Sequence, residues 1–176
     1  MVLINPEENC LPYEYSIFSL LNICDEIVII KDSNEKFSTN RIKKINKNIR
    51  IIESNESVEN YYMILNSELK KSKSDFCLLI EGNNIFPHFN FKSIRNCILN
   101  SSNIHTVNLK EYIINRNNII YESGNNIKVI NNKLLKKDAI RFKVFHKKNC
   151  LNINYTKNIK EKFIDEYAYK YLFYFC

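Results

Sequence analysis

Five apolar residues, Phe76-Cys77-Leu78-Leu79-Ile80, run unbroken into the polar tetrad Glu81-Gly82-Asn83-Asn84, followed by Ile85-Phe86-Pro87. A strand on a half-wet sheet alternates apolar and polar residues, whereas a continuous apolar run is buried on both faces. Such a strand demands a covering layer on each side. The polar tetrad then marks the point where the strand leaves the core. In open α/β sheets that carboxyl end is where ligands are held. Asp25–Asp32 (DEIVIIKD) has the same apolar centre and polar end.

The segments between these runs have helical spacing. Leu11–Ile23 reads as a helix with Leu11, Tyr15, Phe18 and Leu21 on one face, and Thr39–Asn46 as a basic helix. A third helix runs from a Ser57 cap to about Lys71, with Val58, Tyr61, Tyr62, Leu65 and Leu69 at helical intervals. With strands at Val2–Asn5 and Ile49–Glu53, the order β-α-β-α-β-α-β predicts a mostly parallel sheet with right-handed crossovers, between two helical layers. Beyond Pro87 the reading is a helix over Phe91–Leu99 and strands over Thr106–Ile114 and Ile119–Glu122. A turn at Ser123-Gly124-Asn125-Asn126 follows, then strands over Ile127–Ile130 and Arg141–Phe145. Ile159–Phe175 reads as an aromatic helix, with Phe163, Tyr167, Tyr171 and Tyr174 in one stripe. A length of 176 residues with 45% hydrophobic content suits a single domain over 1–176: a first half, 1–90, and a short second half, 91–176.

The net charge of +7 favours anionic partners such as nucleotides, nucleic acid or a membrane surface. The scarcity of Gly (2) and Pro (3), beside abundant Asn, Ile and Lys, also fits an AT-rich genome such as that of a phage, a giant virus or a small-genome microbe. The six cysteines include no C-x-x-C pair and no zinc spacing. No signal-peptide pattern and no apolar run of membrane-spanning length is visible, so a cytoplasmic protein is expected. The Tyr-rich terminal stripe, preceded by Lys157, Lys160 and Lys162, would suit packing on the sheet, a homodimer contact or a peripheral membrane surface. Nucleic-acid binding has no supporting motif.

Three predicted strands end in polar clusters: Asn5-Pro6-Glu7-Glu8, Lys31-Asp32-Ser33-Asn34 and Glu81-Gly82-Asn83-Asn84. If those strands are neighbours, their ends form one rim. In order and spacing, the three clusters resemble the nucleotide-binding half of a GT-A-fold glycosyltransferase of the family 2 type, over about residues 1–90. The resemblance implies a three-layer α/β/α, Rossmann-like GT-A domain with an abbreviated second half. It also implies a nucleoside-diphosphate sugar as donor, of uridine type, with Mn²⁺ or Mg²⁺, and transfer by inversion to the hydroxyl of a glycan, lipid or protein acceptor. Residue by residue, Asp32 would contact the base or ribose, and Pro6 and Glu8 would line the same pocket. Lys31 stands where the first acid of a D-D pair would be. Glu81 and Asn83 take the two acidic places of a D-x-D motif, and His146 matches a histidine that some members carry near the metal. Asn66 falls where an R-N pair is common.

The second acidic place is thus neutral, and an amide oxygen can ligate a hard cation without contributing charge. Inverting transfer also needs a carboxylate to deprotonate the acceptor. Glu111, Glu122 and Asp138 are the candidates, with Glu81 the other catalytic carboxylate. His88 and His105 read as ordinary polar positions. Two alternatives stand beside the transferase: a nucleotide-sugar-binding module that has lost catalysis, and a basic nucleic-acid-binding protein.

Overall fold

The computed structural model describes residues 2–4, 13–32, 39–45, 49–54, 58–80, 84–114, 120–147 and 150–171. Its first half alternates strand and helix: β1 (Val2–Ile4), α1 (Tyr13–Leu20), β2 (Ile27–Asp32), α2 (Thr39–Ile45), β3 (Ile49–Ser54), α3 (Val58–Lys71) and β4 (Phe76–Leu79). There follow β5 (Asn84–Ile85), a 3₁₀ turn (His88–Asn90), α4 (Phe91–Leu99), β6 (Thr106–Ile114), β7 (Ile120–Asn131) and α5 (Asn132–Lys137). The last elements are β8 (Phe142–Lys147), β9 (Cys150–Tyr155) and β10 (Glu161–Tyr171).

Eight strands form one sheet in the order β3-β2-β1-β4-β7-β6-β10-β5, and β8 and β9 form an antiparallel pair apart from it. The pairings run β1, β2, β3, β4, β6 and β10 one way, with β5 and β7 opposed. The sheet is therefore mixed but mostly parallel, as the continuous apolar runs require. The strand order explains the layers. From β1 the chain steps outward to β2 and β3, then returns past β1 to β4. Right-handed crossovers in opposite directions place their helices on opposite faces. Ile17 and Leu20 of α1 and Ile42 of α2 pack with Ile27 and Ile29, together with Ile94 and Ile98 of α4. Leu65 and Leu69 of α3 pack with Val28 and Ile30, together with Leu135 of α5 and Val144 of β8. Leu78 of β4 and Ile80 just after it face the first group, and Cys77 and Leu79 the second.

Asn66 docks the β8–β9 pair onto α3. Its amide Nδ2 donates to the Val144 carbonyl at 2.9 Å, and its Oδ1 accepts from the Val144 N–H at 2.8 Å. One side chain thus satisfies both backbone groups of a buried strand residue, as a neighbouring strand would. The same Nδ2 also reaches the Tyr62 carbonyl at 2.6 Å.

Four expectations are corrected. The terminal segment is not an aromatic helix: Glu161–Tyr171 is strand β10, paired with β6 on one side and β5 on the other. The buried pair Ile164 and Ala168 sits four apart, a spacing that suits a helix but also lies on one face of a strand. Aromatic and β-branched content then favours the strand. The dimer or membrane contact assigned to a helical stripe has no helix to carry it, and Tyr174 lies outside the described residues. Second, Ser123–Asn126 is no turn but part of β7, where Lys110↔Asn126 is followed by Tyr112↔Glu122. Three residues of β7 oppose one of β6 there, so the glycine and its polar neighbours mark a bulge. Third, α1 buries Ser16, Ile17, Ser19 and Leu20 and exposes Tyr15 and Phe18. Finally, α5, β9 and β5 are elements that the sequence pattern did not mark.

Asn66→Ala should lower unfolding stability by roughly 2–6 kcal/mol, because two backbone groups of Val144 lose their partner at about 1–3 kcal/mol each. Urea denaturation measures the change, and one within about 0.5 kcal/mol, the usual range for a surface substitution, would remove the docking role.

Candidate functional site

The strand order brings together the three ends that the sequence singled out. β1 lies between β2 and β4, with Leu3 paired to Val28 on one side and to Leu79 on the other. The chain departs in opposite directions on the two sides of β1, so the crevice between the β1 and β4 carboxyl ends is a topological switch point. Ligands of doubly wound sheets sit at such crevices. Lys31 and Asp32 end β2 beside it, pairing in register with Glu53 and Ser54 of β3. Pro6, Glu8, Glu81 and Asn83 follow these strand ends in sequence but lie outside the described residues, and for Lys31 and Asp32 only the backbone is described.

Directly after Glu81–Asn83 the chain is held tightly. Asn84 is 1% exposed. Its carbonyl accepts the Ser16 hydroxyl at 2.6 Å, and its Nδ2 donates to Glu111 Oε1 at 2.8 Å. The Phe86 N–H donates to the Ser19 hydroxyl at 3.2 Å. This explains why α1 buries two serines: they are short enough to let β5 approach the helix and polar enough to satisfy its backbone. Glu111 is the carboxylate that the fold brings against Asn84, three residues past Glu81 in sequence. Strand alternation through Val107, Leu109 and Glu111 turns it inward, a signal that was available in the sequence.

The other candidates are dispersed. Glu122 is exposed and pairs with Tyr112, four residues past Asn108, which is level with Lys128 and Leu79. It therefore lies on the carboxyl side, about 13 Å beyond the end of β4 along the sheet. Asp138 lies at the opposite edge. It caps the C-terminus of α5, which follows Asn131, and Asn131 pairs with the first residue of β4, Phe76. There Asp138 Oδ2 is 2.8 Å from His105 Nε2, while His105 Nδ1 accepts the Lys160 N–H at 2.9 Å. Both ring nitrogens are occupied, so the pair ties β6, α5 and the approach to β10 together, away from the strand-end rim. His146 lies on β8, four residues past Phe142; its side chain is outside the described set. Among the described residues no group of three or more His, Cys, Asp or Glu is gathered as a metal site.

The amino edge is a structural seam. Arg95 donates to the Ile23 carbonyl and to Asp25 Oδ1, both at 2.9 Å, beside a cleft of about 200 Å³ floored by Phe76, Leu78 and Ile98. Burial pushes the neighbouring Cys24 thiol up to about 12, so it is no thiolate nucleophile at neutral pH. Burial likewise raises the Tyr155 hydroxyl to about 12, against the opposing effect of its 2.6 Å bond with Thr106. Glu68 is buried, which alone would raise its carboxyl. Hydrogen bonds from Arg50 at 2.7 Å and Lys71 at 3.2 Å outweigh that and hold it below its ordinary value.

No family model matches the sequence, and no curated protein matches it. Solved structures do. S. aureus TarS, residues 1–349, superposes with a TM-score of 0.61 at 15% identity, covering 97% of this chain and 60% of that one. The same fragment in complex with UDP-GlcNAc matches equally, at 0.61 and 14% identity, with 97% and 58% covered. The bifunctional IspDF of Campylobacter jejuni matches at 0.52 and 15% identity, over 93% of this chain and 48% of that one. The chain thus spans about 60% of the TarS fragment. At these identities the likeness is one of fold: this chain shares its α/β fold with TarS and IspDF. No helix among the described residues is long and apolar enough to cross a membrane.

Two outcomes are expected. Asp138→Asn should lower the melting temperature, since the His105 contact weakens, and leave any nucleotide affinity at the far edge unchanged; a parallel loss of affinity would return Asp138 to the site. Because Glu68 is depressed from 4.5, its stabilisation is full above about that pH and is lost as pH falls through the folded value. The stability advantage of the native chain over Glu68→Gln should therefore shrink between pH 6 and pH 3, roughly the span over which a carboxylate titrates. An advantage constant over that range would show that the Arg50 and Lys71 bonds carry no net weight.

Proposed function

We propose that this chain binds a nucleoside-diphosphate sugar, of uridine type, at the switch point between β1 and β4 and transfers the sugar to an acceptor hydroxyl. The observation that carries the reading is the adjacency of the β2, β1 and β4 carboxyl ends, in a fold shared with a protein solved with UDP-GlcNAc. Asp32, with Pro6 and Glu8, is assigned to the base and ribose. Lys31, at the same strand end, is assigned to the phosphates.

Glu81 and Asn83 would hold a divalent cation, Mn²⁺ or Mg²⁺, with His146 as a further donor. Carboxylate and amide oxygens suit such hard ions, and both residues follow β4 in sequence, the strand that pairs with β1. When bound, the ion would neutralise charge developing on the leaving diphosphate. The remaining chemistry belongs to the chain. In an inverting displacement the acceptor oxygen forms a bond to the anomeric carbon as the bond from that carbon to the phosphate oxygen breaks. The acceptor proton passes to a carboxylate, for which Glu122 is the exposed candidate on the correct side of the sheet. The neutral Asn83 supports a second reading, a module that binds the nucleotide sugar without turning it over.

Calorimetry with UDP, GDP and their sugars, with and without Mn²⁺, tests the assignment. Metal-dependent UDP binding is expected, and its absence would sink both readings. Release of free sugar from the donor separates enzyme from module. Asn83→Asp should tighten Mn²⁺ binding by about tenfold or more, because a second carboxylate at ~4 Å contributes about 4 kcal/mol before solvent compensation. Unchanged affinity would mean that residue 83 is not a ligand.

A further inference from the structure

Val107, Leu109 and Glu111 leave β6 on one face, and the first two join the core beneath α1 and α4. Glu111 therefore occupies a core position, 5% exposed, yet carries a carboxylate. Ordinary packing would put an apolar side chain there, because an enclosed carboxylate is costly unless its partners are arranged for it. The Glu111 carboxylate accepts from Asn84 Nδ2, 2.8 Å from Oε1. Both neighbouring ladders break register beside this point. β7 shifts between the partners of Lys110 and Tyr112, and β10 shifts between Ile164 and Tyr167, opposite Leu109 and Lys110. Bulges concentrate where a sheet re-aims side chains next to functional sites. Across from Glu111 on β10 stands Ala168, fully buried and small.

We infer that Glu111 is a positioning residue for the carboxyl-edge site. It fixes Asn84 and, with Ser16 and Ser19, sets the course of the chain immediately after Glu81 and Asn83. The assignment rests on the nucleotide-sugar reading of that site. Its enclosure separates Glu111 from an acceptor, so its part is to hold the segment and not to take the proton. The bond is local in sequence to the proposed cation ligands at one end and belongs to the rigid sheet at the other, which is how an outer contact orients an inner one.

The test uses the full chain with E111L and E111Q, read by UDP affinity in the presence of Mn²⁺ and by amide hydrogen exchange at Asn84–Phe86 without ligand. E111L keeps the volume and removes the acceptor; E111Q keeps an acceptor oxygen in the same place. E111L should speed exchange at Asn84–Phe86 and weaken UDP binding by about 10- to 100-fold, the usual loss for an outer-shell contact. E111Q should restore both toward the native values. Native exchange and affinity in E111L would overturn the inference. So would E111Q failing as badly as E111L, since charge and not the held bond would then matter. If the native chain binds no UDP, the functional reading fails, and exchange alone decides the positioning contact: faster in E111L and restored in E111Q supports it, unchanged overturns it. Should E111L not fold, N84A removes the same bond from its other side and is read in the same way.

Discussion

Two strands with no wet face govern this structure. Ile27–Ile30 of β2 and Cys77–Leu79 of β4 present apolar side chains to both sides of the sheet, so neither can lie at a surface. Each side must be closed by helices, and the crossovers supply them only because the strand order turns back at β1. Had β4 continued outward beyond β3, right-handed connections would have placed all three helices on one face and left the other open. The turn back closes both faces and at the same time opens the crevice between β1 and β4. The turn that closes the core thus also makes the switch point.

Polar groups inside the fold, among the described residues, are bonded at both edges of the sheet. At the amino edge they are consumed internally. Asn131 caps α5 through Leu134 N–H and donates to the carbonyls of Ser102 and Ile104, while His105 spends both ring nitrogens on Asp138 and Lys160. Glu68 is matched by two cations. A seam so satisfied offers little to a ligand. At the carboxyl edge, among the described residues, Asn84 is bonded to Ser16 and Glu111, and the Phe86 N–H to Ser19, shortly after the polar strand end in sequence. The residues proposed to meet a nucleotide precede that anchor in sequence.

The parallel half was legible because its signals are local and agree with one another. The apolar runs of β2 and β4, the helical spacing of Leu65 and Leu69 and the charged ends between them leave few alternatives. The second half misled where one pattern fits two periods. Ile164 and Ala168 can share a helix stripe or a strand face, and only pairing with β6 and β5 selects the strand. Ser123-Gly124-Asn125-Asn126 carries turn chemistry, yet the ladder on either side absorbs it as a bulge. In α1 the large aromatics Tyr15 and Phe18 looked like the core face, but contact with β5 favours the short hydroxyls of Ser16 and Ser19.

For the site, the sequence by itself determined which strand ends are polar and which residue types stand there, because an apolar run ending in Glu81 or Asp32 is written in the local order of residues. It could not determine that those ends are neighbours, nor choose among Glu111, Glu122 and Asp138. That choice depends on which strands pair, and pairing is decided by contacts between residues far apart in the chain. The tertiary structure puts Asp138 at the opposite edge, leaves Glu122 exposed beyond the rim, and buries Glu111 against Asn84. The physical reason is burial: a carboxylate's role depends on what encloses it, and enclosure exists only after the sheet has formed.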